Sequence, residues 1–246
     1  MLNFDEYQQL CRLIESNPEL EPIVNNMSSF SLSELSIDSH DIKNYIAYMK
    51  TTFQLLKKKS PEICDNPYFN RMEKVISQLI YHMERTTLYR YSMKKTEKEP
   101  ISINNIMYEI PDIIDDTLNN SCDFSFCLDE TPDILINPEQ LKTLITEAVL
   151  NACEASECSG EITLITKKDD NGILVQIVNN RIIPDCNQSG TSPLDYNQLI
   201  KPFFSTKKEH VGVGLSIIHQ ICLSNNAKAD IYEHEGKTVL SILFQQ

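Results

Sequence analysis

The chain has no apolar run approaching the roughly 20 residues that cross a bilayer, and no secretory leader pattern at Met1-Leu2-Asn3-Phe4-Asp5. The expectation is a cytoplasmic protein with no membrane contact of its own. Basic residues are also short: 22 Lys and Arg stand against 35 Asp and Glu, giving a net charge of −13. An acidic surface argues against nucleic acid, whose phosphates call for basic patches. The eight cysteines (Cys11, Cys64, Cys122, Cys127, Cys153, Cys158, Cys186 and Cys222) include no C-x-x-C pair. Neither a zinc site nor a thioredoxin-like site is indicated, and free thiols in a reducing compartment are the economical reading. No internal repeat and no low-complexity tract is present. Glycine is scarce, with six in 246 residues, so a place where two fall close together stands out.

What is present begins with Thr146-Glu147-Ala148-Val149-Leu150-Asn151-Ala152-Cys153-Glu154-Ala155. Glu147, Asn151 and Glu154 recur at i, i+4 and i+7, stacking two carboxylates and a carboxamide on one helix face. Leu141, Ile145, Ala148, Ala152 and Ala155 line the face beside it. Oxygen-bearing side chains beside a buried stripe suit a hard cation such as Mg²⁺ carrying nucleotide phosphates. A solvated polar face has the same spacing, so this pattern alone is weak.

Downstream, Lys201-Pro202-Phe203-Phe204-Ser205-Thr206-Lys207 is followed by Gly212-Val213-Gly214-Leu215-Ser216-Ile217-Ile218. Two of the scarce glycines therefore stand directly before an apolar helical run. Glycines at a helix start let backbone N–H groups approach an anion, and the helix N-terminus adds partial positive charge. Paired with the Glu/Asn helix in this order, the signal is much stronger than either part.

Residues from about 98 to 246 resemble the ATP-binding domain of sensor histidine kinases, part of the GHKL superfamily that includes gyrase and MutL. Glu147 and Asn151 match the N-box, Phe203 to Lys207 the F-box, and Gly212 to Leu215 the second glycine box. The resemblance implies a mixed α/β sandwich of the Bergerat type. It implies ATP and Mg²⁺ as cofactors, with the metal at Asn151 and Glu147 ordering it and its waters. Nucleotide contacts fall on Glu147, Asn151, Asn179, Phe204, Thr206, Lys207, Gly212, Gly214 and Leu215. The element order fits: strands are expected at 124–128, 162–167, 173–178 and 239–244, with helices at about 139–156 and 213–224. Asn137-Pro138 supplies a helix cap and first-turn proline.

Two departures from the family stand out. The first glycine box ordinarily reads Asp-x-Gly-x-Gly, its Asp accepting a hydrogen bond from the adenine amino group. Here Asn179 takes that place and Asn180, Arg181, Ile182 and Ile183 follow, without glycine. Asparagine still accepts through its amide oxygen but lacks the carboxylate's charge. His210 replaces the first glycine of the second box. Weakened ATP binding is the expected consequence.

The N-terminal third reads as helices. Leu35, Ile42, Ile46, Met49, Phe53 and Leu56 recur at spacings of three and four, apart from one skipped turn, which is an a/d seam. After the polar Lys57-Lys58-Lys59-Ser60-Pro61-Glu62, a second helix opens at Asn66-Pro67 with the seam Phe69, Met72, Ile76, Leu79 and Met83. Such a hairpin has too little buried surface to stand alone, and a dimeric four-helix bundle would bury both seams. His40-Asp41-Ile42-Lys43-Asn44 places His40 and Asp41 off that seam, facing solvent. A carboxylate beside an exposed histidine favours the nucleophilic tautomer.

That stretch resembles the H-box of histidine-kinase dimerisation hairpins. The resemblance implies that His40 takes the γ-phosphoryl group, that Asp41 is the general base, and that Asn44 positions water during dephosphorylation of a response-regulator receiver domain. His82, His210, His219 and His234 carry no assigned role.

The combined expectation is an α+β chain in three parts: a helical arm at 1–30, a dimerising phosphoacceptor hairpin at 31–96, and an ATP-binding domain at 97–246. Its function would be that of a two-component histidine kinase, autophosphorylating His40 from Mg-ATP and passing phosphate to a response-regulator aspartate. The alternative is an ATP-independent phosphotransferase or scaffold whose ATP-binding domain has degenerated.

Overall fold

The structure, a computed structural model, describes residues 4–118, 121–156, 159–180, 196–204 and 211–245; along 25–41 only the backbone is described. The chain divides into two compact units, Asp5–Arg90 and Tyr91–Gln246.

The first unit is helical, with α1 (Phe4–Ser16), α2 (Leu20–Lys59), a 3-10 turn (Pro61–Asp65) and α3 (Pro67–Ser92). Lys57, Lys58 and Lys59 occupy the last turn of α2, where cations complement the partial negative charge of the helix end. Asn66 caps α3 as its sequence indicates: its Oδ1 accepts from the backbone N–H of Tyr68 at 2.9 Å and of Phe69 at 3.4 Å. Phe53 stacks on Phe69 with ring centroids 4.8 Å apart, and Lys57 pairs with Glu73. Of the expected seams, Ile46 and Phe69 are buried, whereas Ile42, Met49, Leu56, Met72 and Leu79 are exposed.

The second unit contains β1 (Glu99–Ile101), α4 (Ile103–Leu118), β2 (Ser121–Leu128), β3 (Ile134–Ile136), α5 (Pro138–Ala155), β4 (Ser159–Asp169) and β5 (Gly172–Asn180). It continues with α6 (Tyr196–Leu199), α7 (Gly214–Ser224), β6 (Ala227–His234) and β7 (Lys237–Gln245). Five strands form one sheet in the order β2-β4-β5-β7-β6; β2 and β4 run parallel and the other neighbours antiparallel. β1 and β3 form a separate antiparallel pair. The register sets Leu164 opposite Ile177 and Val175 opposite Ile242, so alternate residues present one apolar face. α4, α5 and α7 cover it with fully buried Met107, Ile110, Leu141, Leu144, Ile145, Ile217 and Ile218. The architecture is the expected mixed α/β sandwich preceded by helices.

All four expected strands and both expected helices are present. α4, α6, β1, β3 and β6 were not anticipated. α4 holds Pro111 in its interior; that ring removes one N–H, yet the stripe Ile103, Ile106, Met107, Ile110 and Ile114 is buried and packing outweighs the break.

The start of this unit is tied to both site-bearing helices. Asn137 Nδ2 donates to the Glu97 carbonyl at 3.1 Å, and Gln140 Nε2 to that of Lys94 at 3.2 Å. Lys98 Nζ donates to the Ser224 carbonyl at the end of α7, at 2.9 Å, and burial lowers the Lys98 pKa. Asn225 Nδ2 reaches Gln140 Oε1 at 3.3 Å, joining the end of α7 to the start of α5. No described helix is long and apolar enough to cross a membrane.

Candidate functional site

α5 begins where the sequence places it. Asn137 Oδ1 accepts from Gln140 N at 3.2 Å, and Pro138 occupies the first turn. Leu141, Leu144, Ile145, Ala148, Val149, Ala152 and Cys153 are buried, which fixes the helix rotation and carries Glu147 and Asn151 to the side facing α7. Glu147 is itself buried, and Asn151 is half-buried.

Gly214, the first residue of α7, lies against this pair. A Cβ there would stand 3.2 Å from Asn151 Oδ1, 3.2 Å from Glu147 Oε2 and 3.3 Å from Asn151 Nδ2. Glycine therefore lets the helix start approach a carboxylate and a carboxamide more closely than another residue would. The N-cap, Val213, offers no side-chain hydrogen bond, so the first-turn amides of α7 have no capping side chain. Asn151 Nδ2 is buried without a hydrogen-bond partner. A buried amide donor in that state costs roughly 1–3 kcal/mol, and it marks a place where an acceptor belongs.

Gly212 has φ +71°, and a Cβ on it would fall 2.3 Å from the Phe204 carbonyl oxygen. Only glycine fits on both counts. The backbone of Phe204 thus touches that of Gly212, so the two sides of the 205–210 segment meet. Ser216 Oγ donates to the Ile200 carbonyl at 2.7 Å, binding α7 to the stretch that leads to Phe204. Leu215 is half-buried in the same turn. Behind it, the Tyr196 phenol is buried without a partner. Its pKa is pushed up by burial first and then by nearby Cys222 and Asp230. Burial likewise pushes up the Cys222 thiol.

Asn179 is on β5 at 3% exposure. Its Nδ2 donates to Ser156 Oγ at 3.2 Å, and Ser156 Oγ donates to the Asn180 carbonyl at 3.1 Å.

The structure therefore brings Glu147, Asn151 and Gly214 together, and brings Phe204 and Gly212 together. Thr206 and Lys207, like Arg181 and His210, lie outside the described residues. His40, Asp41 and Asn44 fall on α2 in the helical unit; the side chains of His40 and Asp41 lie outside the described residues, and Asn44 is exposed. Ser156 and Ser216 were missed by sequence reasoning. A serine ending a helix looks like any helix stop, and the β5 partners of the Ser156 hydroxyl are distant in sequence.

The fold and the α5–α7 junction have counterparts among known proteins. Residues 136–245 match the family described as histidine kinase-, DNA gyrase B-, and HSP90-like ATPase. The sensor histidine kinase ZraS of Escherichia coli (strain K12) is 19% identical over 209 residues, covering 81% of this chain and 42% of ZraS. Sporulation kinase C of Bacillus subtilis (strain 168) is 23% identical over 228 residues, covering 92% of this chain and 51% of that kinase. Full-length ShkA, solved in complex with AMPPNP, superposes with a TM-score of 0.65 at 12% identity over 87% of this chain and 46% of ShkA. Residues 136–245 carry the ATPase domain of that family, and over most of its length the chain is similar to sensor histidine kinases. It spans about half the length, or less, of these two curated relatives.

Proposed function

We propose that the chain is an ATP-dependent protein-histidine kinase of a two-component system, autophosphorylating His40 and passing the phosphoryl group to a response-regulator aspartate. The observation that carries this reading is the α5–α7 junction, where Gly214 faces Glu147 and Asn151 and the buried Asn151 Nδ2 has no partner.

The donor set fits a magnesium nucleotide. A carboxylate and a carboxamide oxygen are hard ligands, and a helix start without a capping side chain suits an anion. Bound Mg-ATP supplies the γ-phosphoryl group and the cation that offsets its charge. Asn151 holds the metal and Glu147 orders its surroundings. The amides at Gly214 and Leu215 hold phosphate, and Gly212, Phe204, Thr206 and Lys207 are the further nucleotide contacts that the family resemblance implies. Asn179 accepts from the base. On α2, His40 receives the phosphoryl group, Asp41 holds the imidazole tautomer and takes its proton, and Asn44 positions water for receiver dephosphorylation.

In this reading residues 1–30 form an arm, 31–96 the phosphoacceptor hairpin and 97–246 the ATP-binding domain, in a cytoplasmic homodimer. The exposed seam residues Ile42, Met49, Leu56, Met72 and Leu79 support the dimer, because two hairpins bury what one leaves in water.

The test is incorporation of acid-labile, alkali-stable label from γ-³²P-ATP with Mg²⁺, wild type against His40→Ala. Label in the wild type alone supports the kinase. No label in a folded wild-type dimer moves the weight to an ATP-independent phosphotransferase or scaffold, the reading that the missing glycines after Asn179 favour.

A further inference from the structure

The two ends of the Asn179 amide are chemical opposites: Nδ2 only donates and Oδ1 only accepts. The surroundings decide which end faces inward. Nδ2 lies 3.2 Å from Ser156 Oγ and 3.5 Å from the Asn180 carbonyl oxygen. A carbonyl oxygen can only accept. Ser156 Oγ has one proton, and it goes to that same Asn180 oxygen at 3.1 Å. The hydroxyl therefore presents a lone pair to Asn179. Turning the amide over would set Oδ1 against the Asn180 carbonyl, and Ser156 could serve it only by giving up its own bond to that oxygen, so the donor end is held inward.

Ser156 is itself fixed. It is the C-cap of α5, fully buried, with its backbone N–H shared between the Ala152 and Cys153 carbonyls at 3.1 Å. Among the described residues no donor reaches Asn179 Oδ1. A buried amide thus has its donor satisfied and its acceptor open.

We propose that Ser156 is a specificity-positioning residue: by locking the Asn179 amide, it makes the site read an exocyclic amino group, and so accept adenine and reject guanine nucleotides. This rests on the nucleotide-binding reading above. Adenine offers an amino donor where guanine offers a carbonyl acceptor. A carboxylate at 179 accepts through either oxygen and needs no lock. An asparagine discriminates only if something holds it one way round, and the hydroxyl at 156 does so. Without that hydroxyl, Nδ2 keeps only the 3.5 Å carbonyl contact, and the amide is free to turn its donor toward a guanine oxygen.

Equilibrium binding of Mg-ATP and Mg-GTP to the full chain tests this, using wild type, Ser156→Ala, Asn179→Asp and the double variant. Wild type should prefer ATP. Ser156→Ala should reduce the ATP-to-GTP affinity ratio about tenfold, the scale of one hydrogen bond to a base. In the Asn179→Asp background, Ser156→Ala should leave the ratio unchanged, because a carboxylate has no donor end. Ser156→Thr keeps the hydroxyl and should keep the ratio. If the alanine variant does not fold, Ser156→Cys gives the same comparison with a poorer hydrogen-bonding group. An ATP preference fully retained without the hydroxyl overturns the proposal, as does an equal change in the aspartate background. If the wild type binds neither nucleotide, the nucleotide reading falls and takes this inference with it; ATP selectivity that ignores Ser156 removes the inference alone.

Discussion

In the Tyr91–Gln246 unit the side chains between the sheet and its helices form an enclosed core: Ile110, Leu144, Ile145, Ile177 and Ile217 have no exposed surface, although Leu135 and Phe203 outside that core are exposed. In the Asp5–Arg90 unit Ile46 and Phe69 are buried, but Tyr48 is 71% exposed, Met72 55% and Ile42 47%. Both units follow their sequence periodicity equally well. What differs is the number of layers that share the apolar surface. A five-stranded sheet under three helices closes on itself, whereas a pair of long helices has one apolar face too many. Matching a helical pattern therefore does not guarantee a finished core. Among the described residues one unit encloses a core of its own, and the other leaves a seam exposed, which is the observation behind the proposed dimer.

The sharpest test of that division is chemical. His40→Ala should remove all acid-labile phosphate while leaving the Mg-ATP dissociation constant within about twofold, below the free energy of one hydrogen bond. Asn151→Ala should raise that constant directly. Equal loss of nucleotide binding in both variants would break the assignment of roles to separate units. Next in size is core truncation: Ile145→Ala should cost about 2–5 kcal/mol and lower the sheet unit's thermal midpoint equally at every protein concentration. Gly212→Ala follows, since a left-handed φ on a non-glycine residue costs about 1–3 kcal/mol and its Cβ would strike the Phe204 carbonyl. Nucleotide affinity should fall with the midpoint.

Ile42→Ala should cost less, about 1 kcal/mol, and the loss should appear as weaker self-association in sedimentation, with a concentration-dependent midpoint. A concentration-independent loss as large as that of Ile145→Ala would erase the contrast between the units. The smallest effect is alkaline. Cys222 and Tyr196 have folded-state pKa values raised above 9.0 and 10.0 respectively, chiefly by burial. The folded state holds those protons more tightly, so stability is complete below pH 9 and declines as pH rises past it. Cys222→Ala should move the onset of alkaline loss toward pH 10, as followed by circular dichroism.

The sequence revealed those parts of the fold whose signals are local. Asn137-Pro138 and Asn66-Pro67 announce their helices because a cap needs only its own next turn. β5 was legible because Ile173, Val175 and Ile177 alternate with residues of the other face. β6 was not: its inward positions, Ala227 and Ala229, are small, and its outward ones, Lys228 and Asp230, are charged, so its pattern is faint until β7 pairs with it. α4 was obscured by Pro111. In the site, Glu147, Asn151, Gly212 and Gly214 were legible as two short patterns. Ser156 was not, because its partners lie on a strand beyond the next turn of chain, and only tertiary packing makes that hydroxyl more than a helix end.

The contact between Phe204 and Gly212 has one more consequence. With the two backbones already touching, the entropy of joining them is set by chain length alone, and that cost grows only logarithmically: doubling a flexible loop costs about 0.6 kcal/mol. Residues inserted between 204 and 212 would therefore burden the fold very little, while any side chain larger than hydrogen at 212 would push the anchor apart. Folding stability alone therefore sets little limit on the length between those two endpoints, so long as they stay pinched.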